Sequence, residues 1–183
     1  MNLKITKTFL EDVLVIEPEF YEDDRGYFFE SFNAKNFFRI INKKVSFVLD
    51  CQSHSKKNVI RGLHYQFEFP QGKLIRVLDG EIQDVVVDLR KNSKTFGKYL
   101  SINLSSNSLK QLWIPPGFAH GFLAKTETVD VLYKMTDYWN KDDENCIKWN
   151  DETLNIKWEV EKRNALVSLK DNQGICFKKA KLF

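Results

Sequence analysis

Histidine and cysteine are scarce in this chain: three histidines (His54, His64, His120) and three cysteines (Cys51, Cys146, Cys176) stand among 183 residues. The cysteines are odd in number, widely spaced and without a CxxC pair. Neither a disulfide framework nor a structural zinc site is indicated, and a reducing compartment fits best. No apolar run is long enough to span a bilayer, and Lys4 and Lys7 interrupt the first ten residues. A signal peptide and a membrane segment are therefore not expected, and the expected location is cytoplasmic. A basic block is missing too. The formal charge of +3 argues against a dedicated nucleic-acid binder, yet leaves cations for a small anionic ligand.

What the chain has in quantity is aromatic: 15 Phe, 6 Tyr and 4 Trp. Such residues suit pleated, half-buried surfaces, and the length fits one domain with one good-sized core. Strands are expected at 12–17, 27–32, 45–51, 59–66, 73–78, 81–89, 99–104, 111–114, 119–124 and 129–135. Asp79-Gly80 reads as a hairpin turn, 119–124 with 129–135 as another hairpin, and the polar stretch 52–57 as a connection. Asn33 can cap a helix over 33–42 with Phe37, Phe38, Ile40 and Ile41 on its apolar face. Beyond Glu161 no element stands out. Short strands between turns, with one early helix, make an all-β sandwich or barrel.

The stretch Arg61-Gly62-Leu63-His64-Tyr65-Gln66 places a cation, a glycine, a histidine and a tyrosine inside a strand. Alone, His64 reads as a structural histidine beside an ordinary loop glycine more readily than as a functional one. Small jelly rolls of the cupin type often hold a metal with two closely spaced histidines, but here the second position is Gln66. Pro115-Pro116-Gly117-Phe118-Ala119-His120 resembles the second cupin motif, so the fold signal survives while no metal site is expected. The remaining residues suit proton transfer beside a ketone, which needs a near-neutral base, a cation at the enolate oxygen and an acid on the opposite face. His64 can be the base, Lys73 the cation and Tyr133 the acid, with Asp171 orienting His64. Taken singly, Lys73 also reads as a strand-edge lysine, Tyr133 as a core aromatic and Asp171 as a turn residue.

Several motifs in order resemble the dTDP-4-dehydrorhamnose 3,5-epimerase family over nearly the whole chain. They are Asp24-Arg25-Gly26-Tyr27-Phe28-Phe29-Glu30-Ser31-Phe32, Arg61 to Gln66, Gln71-Gly72-Lys73-Leu74 and Asp84-Val85-Val86-Val87-Asp88-Leu89-Arg90. Further on come Gln111-Leu112-Trp113-Ile114-Pro115, Gly117-Phe118-Ala119-His120-Gly121-Phe122 and Leu132-Tyr133-Lys134. The resemblance implies a metal-independent, cofactor-free cupin jelly roll with a few short helices. It also implies a homodimer with exchanged strands that inverts carbon 3 and carbon 5 of a nucleotide-diphosphate-linked 4-keto-6-deoxyhexose. Carried over by position, His64 matches the base, Asp171 its partner, Tyr133 the proton donor, and Lys73 lies close to the keto oxygen. Arg25, Glu30, Arg61, His120, Glu144 and Lys170 match nucleotide-sugar-binding positions.

Departures from the family pattern bear on the substrate. Leu49-Asp50-Cys51 stands where Gln-Asp-Asn is typical, and Trp139 stands where a Tyr or Phe stacks on thymine. Fewer polar readers and a larger stacking surface suit a purine, so a GDP-linked sugar, a heptose included, is an expectation beside the thymidine one. A single-centre 3-epimerase would keep all these residues. A related 3,4-ketoisomerase would not need Tyr133 with the His64–Asp171 pair, and a silent sugar-nucleotide-binding cupin would need none of the three. The product would feed a reductase that builds a surface or capsular sugar.

Overall fold

A computed structural model describes residues 3–183. The strands are β1 (Leu3–Lys7), β2 (Leu14–Pro18), β3 (Phe20–Asp23), β4 (Gly26–Phe29), β5 (Leu49–Lys56), β6 (Val59–Gln66) and β7 (Lys73–Asp79). They continue with β8 (Glu81–Asp88), β9 (Tyr99–Ser105), β10 (Gln111–Ile114), β11 (Phe118–Ala124), β12 (Thr128–Met135), β13 (Glu144–Cys146) and β14 (Leu166–Val167). Helix α1 (Ala34–Ile41) lies between β4 and β5, and the short α2 (Leu169–Asn172) follows β14.

One antiparallel sheet runs β1-β2-β10-β7-β12-β5 and the other β13-β6-β11-β8-β9, with β14 parallel to β6 and β3-β4 a separate ribbon. Two sheets facing each other across a shared core make the jelly roll expected from the strand count. No helix among the described residues is long and apolar enough to cross a membrane.

Burial explains the sequence pattern. Val15, Ile75, Val77, Val86, Leu112, Phe122 and Val131 meet between the sheets. Leu63, Val85, Val87 and Ala119 turn to the other side of the second sheet, where Ile147, Leu154 and Phe177 cover them. A strand buried on both faces has no reason to alternate, hence the unbroken Val85-Val86-Val87 run. Over the outer face of the first sheet, α1 lays Phe37 on Ile16, Leu74 and Trp113. Asn33 caps this helix by accepting from the Asn36 N–H at 3.2 Å, as its side-chain chemistry requires.

Five expectations need correction. The polar stretch 52–57 is mostly strand: β5 runs to Lys56 and pairs with β12 along its whole length. It begins only at Leu49, so 45–48 is not strand. Asp79-Gly80 does join adjacent strands, but β7 and β8 belong to different sheets, as do β11 and β12, so neither pair is a hairpin. Turn chemistry is local; the choice of pairing partner is set by the sandwich. Strand 27–32 ends at Phe29.

Candidate active site

Beside the apolar core between the sheets lies a cluster of polar side chains, called the chamber below, around His64, Lys73, Tyr133 and His120. Strand parity builds the chamber. Within β12, Val129 and Val131 face the core and Tyr133, two further on, faces the chamber side of the same surface. Lys73 sits likewise on β7 beyond Ile75 and Val77. Opposite Tyr133 and Val131, β5 presents Cys51 and Ser53.

The second sheet contributes through an irregularity. Between β6 and β11 the register runs His64↔His120 and then Arg61↔Phe122, so β6 carries an extra residue at Gly62-Leu63. Such a bulge flips side-chain parity. It lets Arg61 and His64 share the inward face while Leu63 and Tyr65 turn to the opposite core. Glycines allow the close approach: a Cβ on Gly62 would stand 2.6 Å from the Gly121 Cα, and one on Gly121 would stand 2.6 Å from the Arg61 carbonyl oxygen.

His64 and Asp171 come together from 107 residues apart, with Nε2 2.7 Å from Oδ1. Asp171 is fixed on both sides. Its Oδ2 accepts the Gly62 N–H at 3.2 Å, and its own N–H donates to Ser168 Oγ, which caps α2. Burial pushes this carboxyl up, but the His64 hydrogen bond and charge and the Gly62 N–H outweigh it and hold the pKa below the usual carboxylate value. An imidazole donating Nε2–H to a carboxylate keeps its lone pair on Nδ1, the nitrogen left to take a proton.

Lys73 is buried, and its Nζ donates to the His64 carbonyl at 3.3 Å. Desolvation lowers its pKa to about 8, against the pull of Glu144 and Asp84. Near neutral pH it remains mostly a cation, held in a dry site where a developing oxyanion would feel it strongly. Burial raises the Tyr133 pKa above its ordinary value, opposed by the Ser53 hydrogen bond (2.9 Å between oxygens) and the Arg61 charge. The phenol rests protonated, and the nearby guanidinium would stabilise the phenolate left after donation. Arg61 is itself oriented by Ser55 Oγ at 3.0 Å and the His54 carbonyl at 3.1 Å.

His120 stands edge-on to Tyr133, with ring centroids 6.3 Å apart, and its Nε2 is 2.9 Å from Asp84 Oδ2. The other oxygen of Asp84 is buried without a partner among the described residues. At the chamber rim Glu144 accepts from Trp139 Nε1 at 3.2 Å and from Lys170 Nζ. These partners outweigh its desolvation and lower its pKa. The exposed Trp139 is held by a second device. Buried Gln66 donates to the carbonyls of Phe69 and Tyr138 at 2.9 and 3.1 Å and accepts the Asn140 N–H at 2.7 Å. Gln66, where metal-binding relatives of the fold would place a histidine, thus ties the Trp139 loop to the His64 strand.

Of the expected site residues, His64, Asp171, Lys73, Tyr133, Arg61 and His120 gather here, with Leu49 and Cys51 along the facing strand and Trp139, Glu144 and Lys170 at the rim. Three do not. Asp50 turns outward and pairs with Lys134 at 2.8 Å, which in turn lies over Phe32. Arg25 is on the exposed β3-β4 turn, paired with Asp23. Glu30 lies by α1, accepting from Asn33. Sequence reasoning missed Asp84, Ser53 and Gln66. Asp84 carried a signal as a carboxylate at the head of an otherwise apolar strand run, and Gln66 only as the residue standing in place of a second histidine; Ser53 carried none. A concavity of about 1000 Å³ between α1 and the Lys7–Leu14 segment contains none of the proton-transfer residues. Position of chemistry, not size of cavity, marks the site.

Residues 7–179 match the family model for dTDP-4-dehydrorhamnose 3,5-epimerase. The chain is 47% identical over 182 residues to the enzyme of that name from Shigella flexneri, covering 99% of both. It is 46% identical over 181 residues to that from Pseudomonas aeruginosa, again covering 99% of both. Its structure resembles the crystal structure of the dTDP-6-deoxy-D-glucose-3,5-epimerase from Legionella pneumophila in complex with dTDP-4-keto-L-rhamnose. There the TM-score is 0.95 at 40% identity, covering 98% of this chain and 95% of that one.

Proposed function

The chain belongs to the dTDP-4-dehydrorhamnose 3,5-epimerase family, and from that premise we propose that it inverts carbon 3 and carbon 5 of a dTDP-linked 4-keto-6-deoxyhexose. The observation that carries the reading is the His64–Asp171 pair, with Lys73 bonded to the His64 backbone and Tyr133, on the other sheet, edge-on to His120, the cross-strand partner of His64.

At each centre His64 Nδ1 takes the proton next to the ketone, and the electron pair moves onto the keto oxygen. Lys73 compensates that charge. Tyr133 then delivers a proton to the opposite face, giving the inverted carbon and a phenolate stabilised by Arg61. Solvent restores the phenol and removes the proton from His64, so the cycle neither gains nor loses protons. Asp171 favours the imidazolium formed midway. Arg61 also suits the pyrophosphate, where guanidinium geometry matches the anion. Trp139 offers its face to the base. The product remains a ketone at carbon 4, so a reductase is the class of enzyme that would consume it.

The outward placement of Arg25 and Glu30 supports a homodimer. Neither lies in the chamber of its own chain, and the ribbon carrying Arg25 exposes Phe20, Tyr21, Tyr27 and Phe28. Seated on a second copy, it would bury these aromatics and deliver Arg25 to the neighbouring site.

A second reading concerns the base alone. Leu49, Cys51 and Trp139 are the departures that favour a purine. Kinetics with dTDP- and GDP-linked 4-keto-6-deoxyglucose decide it, with the products resolved by proton NMR. The proposal expects doubly inverted product and the larger kcat/KM from the thymidine substrate. A guanosine preference would overturn the base assignment, and inversion at carbon 3 alone would replace the double epimerase by a single-centre one.

A further inference from the structure

Cys146 plays no part in the reaction described above, yet it sits directly against the His64–Asp171 pair. In the β13–β6 ladder it is the cross-strand partner of His64. Its Sγ lies 3.9 Å from Asp171 Oδ1, and one ligand atom each from His64, Cys146 and Asp171 fall within 4.8 Å of one another. We propose that these three side chains form an inhibitory site for a borderline-soft divalent cation of the zinc and cadmium class.

The donor set carries the argument. One imidazole nitrogen, one sulfur and one carboxylate oxygen suit Zn²⁺ and Cd²⁺, whereas hard Mg²⁺ takes oxygen ligands. Bond lengths of about 2.3 Å to sulfur and about 2.0–2.2 Å to nitrogen and oxygen separate tetrahedral ligands by roughly 3.3–3.6 Å. The Sγ–Oδ1 distance of 3.9 Å needs only to shorten slightly, and the Nε2–Oδ1 distance of 2.7 Å to open as the shared proton leaves.

The three ligands are also preassembled. Cys146 is locked to His64 by strand pairing, and its carbonyl accepts the Ile175 N–H at 2.9 Å just beyond α2, which carries Asp171. Gly174 keeps this corner tight: a Cβ there would stand 3.1 Å from both the Cys146 oxygen and sulfur. Chamber solvent would supply the fourth ligand.

Binding would release the thiol proton to solvent and move the imidazole's single proton from Nε2 to Nδ1, as Nε2 turns to the metal. Burial and the Asp171 charge push the free thiol up to about 12, so without metal Cys146 is an inert thiol rather than a reactive thiolate. The functional consequence follows from imidazole chemistry. A neutral ring bound to metal through Nε2 carries its proton on Nδ1, so no lone pair remains to take the sugar's proton. The inhibition half of the proposal rests on His64 being the base; the binding half stands on geometry alone.

The two halves are read separately. Full-length protein titrated with Cd²⁺ should show one equivalent of the ultraviolet thiolate-to-cadmium band, absent in Cys146→Ser. Zn²⁺ binding by calorimetry should weaken at least about tenfold in Cys146→Ser, the scale lost when even a residue supporting a metal ligand is removed. With a turned-over ketosugar, Zn²⁺ should block deuterium uptake in the wild type. Cys146→Ser should keep its metal-free rate and resist the ion, and Cys146→Ala should behave likewise. A band that survives Cys146→Ser, unchanged zinc affinity in that variant, or equal inhibition by Mg²⁺ would overturn the proposal. If no ketosugar is turned over, the spectroscopic and calorimetric arms still decide the binding.

Discussion

Replacing Lys73 by methionine should make the protein more stable and less active at once. The lysine is buried, and desolvation lowers its pKa from 10.5 to about 8. At about 1.4 kcal/mol per unit, keeping the charged form in this site at pH 7 costs about 3 kcal/mol relative to the unfolded chain. Below pH 8 the group is protonated in both states and the cost is constant. Between about 8 and 10.5 the unfolded chain binds the additional proton, so this group adds stability as pH rises through that window. Methionine fills similar space without charge. Removing the cost while losing the hydrogen bond to the His64 carbonyl, worth about 1 kcal/mol, leaves a gain of about 2 kcal/mol. For a chain of this length that raises Tm by about 4–8 °C. Turnover should fall about 10²–10³-fold, the scale of losing one oxyanion-stabilising group. In the wild type, kcat/KM should decline above pH ~8 as Lys73 loses its proton, and Lys73→Met should lack that limb. Thermal melts at pH 7 and pH–rate profiles of both proteins supply the readings. A destabilised variant, or one that keeps the alkaline limb, would refute the reasoning.

Other substitutions probe the remaining parts. Asp171→Asn keeps the shape but removes the charge beside His64. It should lower kcat by roughly 10²–10⁴-fold with little change in nucleotide affinity measured by calorimetry. Tyr133→Phe removes the opposite-face acid, so His64 can only return protons to the face it took them from; NMR in heavy water should show deuterium uptake without inversion. Gln66→Leu cuts three hydrogen bonds to the Phe69 and Trp139 loops. It should raise KM about tenfold or more while kcat falls far less, and Gln66→Glu, which keeps an acceptor for the Asn140 N–H, should recover part of the loss. Gly121→Ala forces a Cβ against the Arg61 carbonyl oxygen and should cost about 1–3 kcal/mol in urea denaturation.

Legibility in the sequence followed the local physics. Strands β6 and β10 stand where apolar patterning puts them, and α1 is delimited by its Asn33 cap and by Asn42 in left-handed conformation. β5 was hidden because both of its faces are polar. Ser53 and Ser55 meet the chamber groups Tyr133 and Arg61, while Gln52 and His54 bond Asp130 outside. No hydrophobic alternation survives in such a strand. The catalytic set lies on β6, β7, β12 and α2, so no spacing rule links its members; the family motifs identified them, and only the folded chain shows that Asp171 reaches His64. The same motifs grouped Asp50, Arg25 and Glu30 with the site, where strand parity and the ribbon hold them outside their own chamber. Gln66 was legible only as a missing metal ligand, because its hydrogen bonds go to backbone of a loop remote in sequence.

The central claim is that His64 moves ring protons at two carbons. The most direct measurement is NMR of dTDP-4-keto-6-deoxyglucose incubated in heavy water with the wild type and with His64→Ala, alongside calorimetry of dTDP binding. The account expects deuterium at both carbon 3 and carbon 5 with the wild type. It expects label at neither carbon with His64→Ala, although that variant still binds dTDP. Label entering His64→Ala at near wild-type rates would contradict the assignment of the base, and no label with the wild type would contradict the enzyme reading itself.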